Sequence, residues 1–162
     1  MTDAAPRLFF AVWPPVGTAA ALADWAREAR RECGGRATPR ERIHLTLAFL
    51  GDADPEMARA RGAAIRLPGL SLRIEQARYW AHNRIVWAGP LETPAGLQAL
   101  ARELGETRAF AAHVTLIRKA RPPGTLPPPP ALEWPVTQFT LVNSVLGPEG
   151  PDYEVLERYA LE

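Results

Sequence analysis

Two short stretches carry most of the chemistry this chain can do. "RIHLTLAFLG", residues 42 to 51, places His44 and Thr46 two positions apart in an otherwise apolar run. "AFAAHVTLIRKA", residues 109 to 120, repeats the arrangement with His113 and Thr115. In a strand, residues i and i+2 point to the same face. Each imidazole therefore shares a face with its hydroxyl, while Leu45 and Leu47, or Val114 and Leu116, turn to the other face and into a core. One H-x-T tripeptide on a half-apolar strand is ordinarily structural. The chain has only 3 histidines, and two occupy this same setting. Two such half-sites brought together make a cleft with two imidazoles and two hydroxyls.

That set suits phosphodiester chemistry. One imidazole activates the nucleophile and the other protonates the leaving oxygen, and two groups near their unperturbed pKa can hold opposite protonation states at neutral pH. The hydroxyls hydrogen-bond the non-bridging oxygens as charge builds on them. The chemistry needs no metal, and neutral hydroxyls without a matching carboxylate make a poor metal site. No GxGxxG or P-loop is present, and Ser71 and Ser144 lie in no GxSxG elbow, so neither a nucleotide cofactor nor a serine hydrolase is indicated.

The elements that must position these residues follow from periodicity and punctuation. Residues 7–13 and 42–51 read as strands around a helix over 14–33, which stops at Gly34 and Gly35. A second helix spans 53–67, with Asp54 as N-cap and Pro55 in its first turn. Residues 70–80 and 84–90 form an antiparallel pair around a turn at Asn83. A helix over 93–105 and a strand over 111–119 follow. The proline-rich stretch 121–130 is a stiff connection, and 134–147 and 153–162 are two strands around the turn "PEGPD". Later strands run in hairpins, so the fold class is α+β with largely antiparallel sheets.

The 162 residues suffice for one domain, spanning 1–162, or two small lobes sharing a core. A net charge of +1 and a pI of 8.0 exclude bulk-charge coating of nucleic acid, so any anion must be met by a local cluster. Cys33 is the one cysteine, which rules out a disulfide framework. The short apolar start lacks a basic n-region and a cleavage site, nothing approaches a membrane span, and a cytoplasmic monomer is expected.

These motifs resemble the 2H phosphoesterase superfamily, which is defined by two H-x-[ST]-hydrophobic motifs. Within it the chain is most similar to the bacterial LigT-like RNA 2′,3′-cyclic phosphodiesterases, also called 2′-5′ RNA ligases. "RLFFAVWPP" matches the opening strand, "IHLTLAFLG" and "HVTLIRKA" the two motifs, and "VTQFTLVNSVLGPEGPDYEVLERYAL" the closing hairpin. The resemblance implies a bilobal fold: two antiparallel sheets related by a pseudo-two-fold around a central cleft, with helices outside. It implies hydrolysis of 2′,3′-cyclic phosphate ends of RNA or nucleotides to 2′-phosphomonoesters, without a cofactor, and reversible 2′-5′ joining. His44 and His113 become the acid–base pair, and Thr46 and Thr115 the phosphate-binding hydroxyls. His113 is assigned as base and His44 as acid, although the sequence supports the reverse equally. A basic residue at Arg118 fits the family pattern, but strict alternation turns it away from His113 unless a bulge intervenes. Where the family often has a proline before the second histidine, this chain has Ala112, and the preceding stretch is short.

Arg108 and Lys119 are weaker candidates of the same kind as Arg118. Phe9, Phe49 and Trp80 would suit base stacking, but the apolar runs around them place them in the core. His82 reads as a solvated turn residue. Two rival functions remain: a non-catalytic RNA or nucleotide-binding module using the same cleft, and a phosphodiesterase for another small cyclic phosphate.

Overall fold

A computed structural model describes residues 7–148 and 150–162. Glu149, within the expected turn "PEGPD", and residues 1–6 lie outside the described part. Among these residues ten strands and three α-helices, with a short 3-10 turn at Arg40–Arg42 before β3, run in the order β1 (Arg7–Val12), α1 (Val16–Cys33), β2 (Arg36–Ala37), β3 (Leu45–Gly51), α2 (Pro55–Ala63), β4 (Leu70–Ile74), β5 (Gln76–Trp80), β6 (Ile85–Gly89), α3 (Ala95–Glu103), β7 (Val114–Arg118), β8 (Leu132–Val136), β9 (Gln138–Gly147) and β10 (Gly150–Ala160). All pairings are antiparallel, and the fold is α+β as expected.

The main sheet has the order β10-β9-β1-β3-β7-β6-β5, with β2 added on β7. Among the described residues its two halves meet only at β3 and β7, through the single register pair Leu45↔Val114. These are the central residues of the two H-x-T motifs, so an approximate two-fold axis runs between them. It relates β3 to β7, β1 to β6 and β9 to β5. The register agrees in detail: Val12 faces Leu45 and Ala11 faces Thr46 in one half, as Ala88 faces Val114 and Trp87 faces Thr115 in the other.

Each crossover helix packs on the half it did not come from. α1 follows β1 but lies against β2 and β7, while α3 follows β6 but lies against β3. The leucine faces of both motif strands are sealed beneath these helices: Leu45, Leu47, Val114 and Leu116 are all 0% exposed. α2 opens as read, with the Asp54 carboxylate accepting from the Glu56 N–H. The proline-rich stretch is strapped to α1, because the Trp25 indole N–H points at the carbonyls of Pro127 and Pro128, each 3.1 Å away.

Two expected strands are interrupted. Residues 70–80 break at Glu75 into β4 and β5, and 134–147 breaks at Thr137 into β8 and β9. At both breaks the chain leaves one sheet for another: β4 and β8 pair with each other in a separate two-stranded sheet, with Leu72 opposite Trp134. Strand propensity continues through each break, and only the hydrogen-bonding partner changes. The turn after β5 places positive φ at Arg84 (58°) rather than at Asn83.

Candidate active site where two motif strands meet

Neither histidine lies inside a ladder. β3 begins at Leu45 and β7 at Val114, so each histidine precedes the first paired residue. The carbonyls two residues earlier are therefore free of the sheet. Each accepts from the imidazole that follows: Arg42 O lies 2.7 Å from His44 Nδ1, and Ala111 O lies 2.9 Å from His113 Nδ1. A carbonyl can only accept, so both rings carry their proton on Nδ1, which leaves Nε2 as the basic nitrogen of each neutral ring. His44 Nε2 is 3.1 Å from Thr46 Oγ1. The Ala112 N–H, which a proline would lack, donates to Thr93 Oγ1 at 3.0 Å and steadies the approach to His113.

His44, Thr46, His113 and Thr115 line one cavity, and Arg118 lines it too. Arg118 reaches that face by a bulge. Register slips between Val86 and Trp87 on β6, so Leu116 on β7 has no partner of its own, and Leu116 and Ile117 are both buried. The alternation is thereby offset by one, and Arg118 turns back to the side of His113. β3 carries the matching bulge: Leu47 is skipped opposite β1, and Leu47 and Ala48 are both buried. The two-fold counterpart of Arg118 is thus Phe49. Phe49 is 49% exposed rather than core, because the bulge that frees the arginine also turns this ring outward.

Each imidazole is packed among rings. Phe9, Trp13 and Tyr153 surround His44 at centroid distances of 5.2, 5.1 and 5.2 Å. Trp80 lies 4.7 Å from His113, half-buried against it. Phe9, by contrast, is core as expected, at 4% exposure.

Burial lowers His44 to about 4, helped by the Arg118 charge and by His113, and opposed by the Arg42 carbonyl. Burial likewise lowers His113, and Arg118 adds to the effect. This corrects the expectation of two unperturbed imidazoles: both are neutral at pH 7 in the free protein.

The remaining candidates stand apart from the cavity. Arg108 is an exposed partner of Glu106, Lys119 sits at positive φ (56°) on the surface, and His82 is exposed beside Trp80. Cys33 is buried at the end of α1, with its thiol pushed up by desolvation.

The sequence reading missed Arg36, Thr38, Arg42 and Tyr153, all of which line the cavity. Thr38 braces the second motif directly, its N–H donating to Leu116 O at 2.8 Å and its hydroxyl to Thr115 O at 3.0 Å. "GRATPRER" has neither periodicity nor a motif that would single these residues out. Tyr153 lay within the closing hairpin without any pattern that marked it.

Comparison with known proteins gives a consistent picture. Residues 12–87 match a family model described as LigT like Phosphoesterase. The RNA 2′,3′-cyclic phosphodiesterase of Escherichia coli (strain K12) is 35% identical over 170 residues, covering 96% of each chain. A Thermus thermophilus protein of the same name is 34% identical over 178 residues, covering 96% of this chain and 90% of that one. The crystal structure of E. coli LigT complexed with 3′-AMP superposes with a TM-score of 0.87 at 34% identity, covering 96% of this chain and 98% of that one.

Proposed function

The chain belongs to the LigT-like phosphoesterase family and is a hydrolase of phosphodiester bonds; from that premise we propose that it opens 2′,3′-cyclic phosphate ends of RNA to 2′-phosphomonoesters. The observation that carries this reading is the pair of Nδ1-tethered imidazoles sharing one cavity with two threonine hydroxyls and Arg118. Residues 1–162 work as one two-lobed domain in this reading, with one motif from each lobe.

The cyclic phosphate binds with its non-bridging oxygens toward Thr46, Thr115 and Arg118. His113 is the more open of the two imidazoles, and Nε2 of its neutral ring takes a proton from a water molecule. The water oxygen bonds to phosphorus. The P–O3′ bond breaks, and Nε2–H of His44 protonates the departing O3′. The products are a 2′-phosphomonoester and a free 3′-hydroxyl. The negative charge of the bound phosphate raises the pKa of His44 and lets it enter the reaction protonated. Exchange with solvent then resets both rings. With a 5′-hydroxyl in place of water, the same step joins RNA through a 2′-5′ linkage.

The test is incubation with a short RNA ending in a 2′,3′-cyclic phosphate, in excess EDTA, followed by phosphorus NMR. The expected product is the 2′-phosphomonoester alone. Binding without turnover would overturn the catalytic reading in favour of a binding module. Turnover of only non-RNA cyclic phosphates would overturn the substrate assignment.

A further inference from the structure

Beyond the phosphate at the two histidines, we infer that Arg36 and Arg118 form a clamp for a second phosphate, one nucleoside upstream of the scissile one. Arg36 stands directly opposite Arg118 in the β2–β7 register, so both side chains leave the sheet on the same face. Both line the catalytic cavity. Like charges placed directly across a strand pair repel and destabilise it. Here the pairing is nonetheless enforced by backbone. Gly35 adopts φ +82°, and a Cβ there would lie 2.5 Å from Arg118 O. Thr38 fixes the other end through Leu116 O and Thr115 O.

Among the described residues, neither guanidinium has a carboxylate within ion-pair distance. Arg42, across the cavity, does have one, with Asp152 Oδ1 3.4 Å from its Nη2. A guanidinium carries five donors, so Arg118 keeps the scissile phosphate on one edge while its other edge and the unneutralised fork of Arg36 hold a second phosphate between them. The charge of Arg118 is felt by both histidines, so the clamp borders the reaction centre. An RNA end supplies a second phosphate at that remove, whereas a lone cyclic nucleoside phosphate does not. Arg36 therefore acts as a specificity residue for chain over mononucleoside.

This inference rests on the phosphodiesterase reading, and its test separates the two. Three substrates are compared at several salt concentrations: a nucleoside 2′,3′-cyclic phosphate, the same compound with a 5′-phosphate, and a dinucleotide ending in the cyclic phosphate. Wild-type turnover of the first tests the reading itself. Arg36→Gln is expected to lower kcat/KM for the dinucleotide about tenfold more than for the first substrate. It should also make log(kcat/KM) for the dinucleotide fall less steeply with salt than in the wild type, since one screened charge contact is lost. Arg36→Lys should restore part of the preference. The thermal midpoint of Arg36→Gln should equal or exceed wild type, since a like-charge pair is relieved. If the 5′-phosphorylated nucleoside follows the dinucleotide, the clamp holds and takes any phosphate at that distance. Equal losses on all three substrates, or no loss, would overturn it.

Discussion

His44 and His113 each commit Nδ1 to a main-chain carbonyl and share the influence of Arg118, which makes their titration predictable. His44→Ala and His113→Ala should each lower kcat by at least ~10²-fold, and the double variant should lose little more, if the two act as a unit as proposed. Steady-state rates of the folded variants check this. The profile of kcat/KM reports the free protein, in which His44 titrates at about 4 and His113 below its ordinary value. Activity that requires protonated His44 and neutral His113 then forms a bell centred below pH 6.5, the ordinary imidazole value. The kcat profile, with phosphate bound, should lie at higher pH because the anion raises both rings. A kcat/KM optimum above pH 7 would contradict this assignment. Arg118→Gln removes a positive charge that lowers both imidazoles, so both pKa values rise and the kcat/KM bell should move to higher pH. In the proposed reaction the same change removes a donor to the phosphate, with an expected rate loss of about 10²-fold.

The bulges at Leu47 and Leu116 operate at the level of the element. Each follows a motif threonine and lets two consecutive residues enter the core, returning Phe49 and Arg118 to the cleft side. The second bulge is held by β2 and Thr38, and β2 depends on the close approach of Gly35 to β7. Gly35→Ala would meet both a positive φ and the Arg118 carbonyl, so it should cost about 1–3 kcal/mol, read as a lower urea midpoint. Its activity should fall too, because displacing β2 releases Arg118. Thr38→Val removes one side-chain hydrogen bond to Thr115 O and should cost about 1 kcal/mol by the same measurement.

For the molecule as a whole, the exchange of helices couples the halves: α1 and α3 each cover the strands of the opposite half. Buried neutral His44 adds a pH dependence to their shared stability. Its folded pKa, about 4, lies below the ordinary 6.5, so the unfolded chain binds the proton first as pH falls. The stability is fully present above pH 6.5 and is lost as pH falls toward 4, by on the order of 3 kcal/mol in total. Urea unfolding at pH 7, 5.5 and 4 should show this decline. His44→Gln should show a shallower one, while the carboxylate contribution stays common to both proteins. Identical slopes would show that His44 is not buried neutral.

What this chain's sequence determined by itself is what lies within a few residues. Period-two alternation put each histidine and threonine on one face and each leucine on the other, and capping and glycine signals marked the three helices. The pattern is local because side-chain direction in a strand depends only on parity. What the tertiary structure decided depends on which distant strands meet. Leu45 pairing with Val114 places the two motifs side by side, and the ladders starting there free the Arg42 and Ala111 carbonyls for the imidazoles. The bulges that turn Arg118 and Phe49, the breaks at Glu75 and Thr137, and the seating of Arg36 opposite Arg118 all follow from inter-strand register. Hydrogen bonds between strands join backbone groups that are the same in every residue but proline, so no local pattern specifies the partner; the packing of the whole core does.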